Sequence, residues 1–197
     1  MKSRALLAML VGMGAAAAPI AALGQSVNVT RSIFADQPYT LIYPESMIAV
    51  GGAGEPLTIN HPNAPLQCDL SVVPVEDASW TAETALSGLD TTAVSTAWSD
   101  TFPGFAVSKS GTMQYQDATA LYYEGTSDSS PMQTPITLVH TETVAAGRGY
   151  SLDCIYATAV AEQARPAVDF IIANFSTRSD AECCIGATPE TQPATPQ

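Results

Sequence analysis

Apolar and polar residues change places at every step through Leu66-Gln67-Cys68-Asp69-Leu70-Ser71-Val72. Alternate residues of a strand point to opposite sides, so Leu66, Cys68, Leu70 and Val72 share one face of a half-buried strand, with Cys68 turned inward. The same period returns in Tyr150, Leu152, Cys154 and Tyr156. Shorter β-prone runs, PYTLIYPES and EPLTINHP, each run into a proline, which predicts strands ending at Pro44 and Pro62. AVSKSGTMQYQ and ATALYYEG read as two strands joined by a tight turn at Gln116-Asp117. ITLVHTETV and the cysteine strand that follows it are joined by a turn at Ala146-Gly147-Arg148-Gly149.

Two stretches change to a helical period. Leu86, Leu89, Ala93 and Ala97 predict one amphipathic helix through SWTAETALSGLDTTAVSTAWSD, capped near Ser79 or Thr81 and stopped by Phe102-Pro103-Gly104. Val168, Ile171, Ile172 and Phe175 fall at i, i+3, i+4 and i+7 of a second helix. There Pro166 suits the first turn, and Arg178 sits well against the dipole at the end. The expected fold class is α+β, a single antiparallel β-sheet packed by two main α-helices.

The ends have a different character. Residues 1–24 run from Lys2 and Arg4 through a continuous apolar stretch to Ala22-Leu23-Gly24, the pattern of an export signal peptide. Residues 25–36 form a polar lead-in segment, 37–178 one α/β domain, and 179–197 a Thr- and Pro-rich tail expected to be flexible and carrying two cysteines. The 197-residue chain has 7 basic and 19 acidic residues, a net charge of −12. Removing Lys2 and Arg4 with the leader leaves 5 − 19 = −14. Such a surface repels nucleic acid and anionic lipid, so neither is an expected partner, and no membrane insertion is expected once the signal is removed.

Export to a periplasmic or extracellular compartment makes disulfides the default for the four cysteines. Cys68 and Cys154, both inward on strands, are the expected pair, with two buried free thiols as the alternative. Cys183 and Cys184 are adjacent, so a bond between them must span about 3.8 Å between Cα atoms, below the usual range. A bond to the sheet or to another chain competes with it. A thiol–disulfide role for this pair lacks the positive surroundings that activate a thiolate, because Asp180 and Glu182 stand beside it.

Other chemistry is sparse. Neither His61, before a proline at a strand end, nor His140, among the polar residues of LVHTET, sits in a nucleophile motif, and both read as surface or solvated strand residues. His140 and Glu142 share a strand face but supply only two metal ligands. Asp69 and Asp153 each neighbour a strand cysteine on the outer face and have no partner visible in the sequence. No catalytic residue, metal site or cofactor is assigned.

The strand PYTLIYP, the segment LSVVPVED feeding a helix, and the ending GRGYSLDCIYATAVAEQARPAVDFIIANFSTR together resemble the Mog1p/PsbP-like α/β fold family over roughly residues 37–178. The resemblance implies an exported bacterial member of unknown activity, related to non-enzymatic accessory proteins. It carries over no partner-binding residue. The expected function is therefore a non-enzymatic binding or accessory protein of the cell envelope with an unknown protein or small-ligand partner. A periplasmic small-ligand or metal-binding protein is the alternative, and a thiol–disulfide protein using Cys183 and Cys184 is the third reading.

Overall fold

The computed structural model describes residues 27–29, 37–52, 55–77, 79–131 and 133–182. The expected leader, most of the lead-in segment, Cys183, Cys184 and the rest of the tail lie outside the described residues. The strands are β1 (Val27–Val29), β2 (Thr40–Pro44), β3 (Ile48–Gly51), β4 (Leu57–Asn60) and β5 (Leu66–Pro74), then β6 (Ala106–Gln114), β7 (Thr119–Ser127), β8 (Ile136–Ala145), β9 (Arg148–Ala157) and β10 (Phe175–Ser176). Between β5 and β6 lie α1 (Ala82–Ser87) and α2 (Thr91–Ser99), and α3 (Ala161–Ala173) follows β9.

The fold is α+β and mostly sheet, but the expected single sheet with two helices is two sheets with three. Seven antiparallel strands run in the order β3-β4-β5-β9-β8-β7-β6, while β1-β2-β10 make a small second sheet. The second sheet gave no period to follow, because β10 is two residues long and pairs Phe175 with Leu41 across most of the chain.

The helix expected after the first cysteine strand is broken at Gly88. Thr81 caps α1 by accepting from the Thr84 amide, and Asp90 restarts the chain as the cap of α2, accepting from the amides of Thr92 and Ala93. An aspartate that satisfies two otherwise orphaned N–H groups favours a new helix start over continuation. The closing helix also begins earlier than expected, after a 3-10 turn at Thr158–Val160. That early start places Pro166 inside α3 rather than in its first turn. Phe175 is a strand residue of β10, and Arg178 lies beyond it, paired with Asp180 at 3.0 Å.

The period-two readings hold. Leu66, Cys68, Leu70, Tyr150, Leu152, Cys154 and Tyr156 are all buried on one face of the large sheet, beneath α3 and β2. Phe175 completes that core, its ring centroid 4.6 Å from that of Tyr115 and 5.7 Å from that of Tyr150. The β8–β9 turn uses Ala146 and Gly147, both at positive φ (50° and 74°), the conformation that matches the twist of a two-residue hairpin. Residues 179–182, assigned by sequence to the tail, meet the body: Ala181 is buried, and Gln116 Nε2 donates to the Glu182 carbonyl at 3.3 Å.

On the opposite face, α1 and α2 lie over β6 and β7 and close a smaller core of Phe102, Phe105, Tyr123, Ile136 and Leu138. Gly125 on β7 lets this layer seat. A Cβ there would overlap the Phe105 ring and stand 2.7 Å from the Ala106 carbonyl oxygen. Gly125→Ala should therefore cost about 2 kcal/mol by overpacking. Urea unfolding measures it, and an unchanged midpoint would count against this packing.

Candidate functional site

Helices α1 and α2 are six and nine residues long and pack on β6 and β7, so among the described residues no helix covers most of the β9-β5-β4-β3 half of this second face. Strand pairing lays one continuous row across it. Tyr123 faces His140, His140 faces Asp153, Asp153 faces Asp69, Asp69 faces Thr58, and Thr58 faces Val50. Among the described residues the exposed large hydrophobics, Ile48 (56% exposed), Val50 (52%) and Val73 (54%), belong to this same face. Isolated exposed apolar residues are ordinary; these three point to the same side of the sheet.

The disulfide sets the register of this row from behind. Cys68 and Cys154 are bonded to each other, fully buried, with Cα atoms 4.0 Å apart. Because neighbours on a strand point to opposite sides, the bond beneath the sheet places Asp69 opposite Asp153 above it. Asp69 accepts one hydrogen bond at each oxygen, from Thr58 Oγ1 at 2.5 Å and from Gln67 Nε2 at 2.7 Å. Asp153 Oδ1 is paired with His140 Nδ1 at 2.6 Å, and no described residue donates to its Oδ2.

His140 is buried, which corrects the expectation of a solvated strand residue. The cause is a chain of aromatic contacts that begins on a helix: Trp98 of α2 donates Nε1–H to the Tyr123 hydroxyl at 2.8 Å, and the Tyr123 ring stacks on the imidazole at 4.3 Å and 15°. The other ring nitrogen, Nε2, lies 3.5 Å from Glu142 Oε2. Burial alone would depress the imidazole pKa, but hydrogen bonding to Asp153 and Glu142 and their charges outweigh it and raise it to about 9. At neutral pH the ring is an imidazolium with no lone pair to accept a proton. Asp69 and Asp153 of the row and Glu142 beside it are three carboxylates against one cation, a net charge of −2.

Two grooves open on this face. One of about 430 Å³, toward the β4–β5 loop, is lined mainly by apolar groups: Ile155, Phe102, Pro65 and Pro131, with His61 and Gln67 at its polar edge. A smaller one, about 250 Å³, lies at the other end among Val73, Trp80, Glu142 and Ser151. His61 thus lines a groove instead of standing apart, and its Nδ1 accepts from the Asn63 amide at 3.2 Å.

A second charged cluster lies on the covered face and is structural. Arg165 Nη1 donates to Glu124 Oε2 at 2.6 Å and Arg165 Nε to Asp169 at 2.7 Å, while the Tyr122 hydroxyl donates to Glu124 at 2.7 Å. Burial pushes the Glu124 carboxyl up, but Tyr122, Arg165 and Lys109 outweigh it and hold it below its ordinary range. This network ties α3 to β7. Arg165→Ala leaves a buried carboxylate short of its main cation and should cost about 2 kcal/mol, less than a fully buried pair because Tyr122 and Lys109 remain. Denaturant unfolding checks it, and no loss would contradict the assignment.

No family model matches the chain, and no curated protein matches it. Among solved structures the chain is similar to cyanobacterial PsbP from Synechocystis (TM-score 0.49, 13% identity, over 84% of this chain and 97% of that one). It is also similar to LpqN, described as involved in cell envelope biogenesis of Mycobacterium tuberculosis (0.47, 14%, 78% and 86%), and to the Ran-binding protein Mog1p of Saccharomyces cerevisiae (0.43, 8%, 66% and 78%). The chain is also similar to a Bacteroides thetaiotaomicron protein (0.49, 12%, over 76% of this chain), of which it spans 49%. The element order read from the sequence is the one observed: strands, helices after the first cysteine strand, a four-stranded meander and a closing helix.

Of the residues singled out in the sequence, the structure brings together Cys68 with Cys154 and His140 with Glu142, Asp153 and, through Asp153, Asp69. It keeps His61 apart from that row. Tyr123 and Trp98 were not singled out, although the disulfide pairing alone implies the Asp69–Asp153 facing. Among the described residues no group of three or more His, Cys, Asp or Glu is placed to hold a metal ion, and no helix is long and apolar enough to cross a membrane.

Proposed function

We propose that this protein is an exported, non-enzymatic binding or accessory module of the cell envelope that engages its partner with the uncovered half of its large sheet. One observation carries the reading: two short helices cover only part of this face, and the exposed large apolar side chains of the described residues gather on the remainder, around a fixed acidic row. The leader-type N-terminus and a buried cross-strand disulfide support export. A histidine held as imidazolium between two carboxylates supports recognition over proton transfer.

Ser71→Arg, beside Asp69 on this face, and Gln163→Arg, on the exposed side of α3, separate the faces. Each is immobilised beside the wild type and exposed to envelope extract. A partner kept by the wild type and by Gln163→Arg but lost by Ser71→Arg supports the proposal. Equal retention by both variants overturns it.

A further inference from the structure

We infer that the groove floored by Ile155 receives an apolar side chain from a partner protein whose neighbouring Lys or Arg pairs with Asp153; this rests on the reading of the open face as the binding surface. Phe102, Pro65 and Pro131 give the groove apolar walls, and its volume of about 430 Å³ falls in the range of pockets that enclose a ligand group. Ile155 and Gln67 face each other across β9 and β5, and two residues further along the same strands stand Asp153 and Asp69. That is a step of about 6.8 Å on one side of the sheet. The acidic row therefore begins where the apolar groove ends, a spacing that neighbouring side chains of one peptide can bridge.

Charge selects the occupant. The row and the neighbouring Glu142 together carry −2 even with His140 protonated, each Asp69 oxygen already accepts a hydrogen bond, and Asp153, the carboxylate next to Ile155 on that face of β9, has no described donor to its Oδ2. A second copy of this chain, with net charge −12, would bring acid against acid. A basic residue beside an apolar one satisfies both halves of the surface, and electrostatic complementarity of this kind sets specificity and encounter rate.

The test is an amide chemical-shift titration of the purified protein with four probes: acetyl-Trp-Arg-amide, acetyl-Trp-Glu-amide, acetyl-Gly-Arg-amide and free tryptamine. The expected result is saturable shifts at Asn60, Gln67 and Ile155 with acetyl-Trp-Arg-amide, about tenfold tighter than with either altered dipeptide. Asp153→Asn should abolish the preference for Arg over Glu. Gln67→Lys, an exposed substitution with little bearing on folding, should weaken the Arg peptide in the same direction. Equal binding of the Arg and Glu peptides, shifts confined to another face, or no saturation overturns the inference. Tryptamine binding as tightly as acetyl-Trp-Arg-amide overturns it in favour of a small organic cation. If the peptides fail while Ser71→Arg still releases the envelope partner, this inference falls and the reading of the face stands.

Discussion

Replacing both members of the Cys68–Cys154 bond with alanine should lower the unfolding free energy by about 4 kcal/mol. The two residues are 86 positions apart, so the bond removes a long loop from the freedom of the unfolded chain, and loop-closure entropy rises with loop length. Both residues are fully buried in the core, and the native bond is shielded from reductant. Denaturant unfolding of the disulfide-free variant beside the wild type measures the effect. A difference below about 1 kcal/mol would mean that neighbouring β4 and β8 hold β5 and β9 without the bond.

Stability should also fall on the alkaline side of neutrality. His140 titrates at about 9 when folded, above its ordinary value of 6.5. A pKa raised by folding contributes stability that is fully present below about pH 6.5 and is lost as pH rises through the folded value. The shift corresponds to about 3 kcal/mol, lost between roughly pH 6.5 and 9. Asp153 and Glu142 supply the raising interactions, with Tyr123 stacked on the ring. Unfolding free energy measured across that interval should decline for the wild type, while His140→Gln should start lower and stay level. A wild-type profile as flat as that of the variant would contradict the protonated histidine.

These expectations depend on how far one residue's surroundings follow from its neighbours in sequence. Alternation identified the inward faces of both cysteine strands, because a strand's period of two leaves each residue only two directions. Turn chemistry placed the β6–β7 and β8–β9 hairpins. The second sheet escaped because Phe175 pairs with Leu41 through long-range contact, and Phe175 also continued a helical pattern by spacing. The break between α1 and α2 depended on Asp90 choosing a capping role over helix continuation.

The candidate site was partly legible. The facing of Asp69 and Asp153 follows from the cysteine pairing by adding one residue to one strand and subtracting one from the other. The burial of His140 does not follow from LVHTET, because it is imposed by Tyr123 of the neighbouring strand and by Trp98 of α2, packed on the same face. The uncovered area of the face depends on how short α1 and α2 are, a length that the hydrophobic period alone overstated.

Carboxyl labelling of the protein, free and bound to whatever partner the immobilised wild type retains, tests the proposed role of the open face most directly. The account predicts that partner binding protects Asp69, Glu142 and Asp153 while Glu83 of α1 and Glu162 and Asp169 of α3 label as before. Protection of the α3 carboxylates with the sheet-face row still reactive would contradict it.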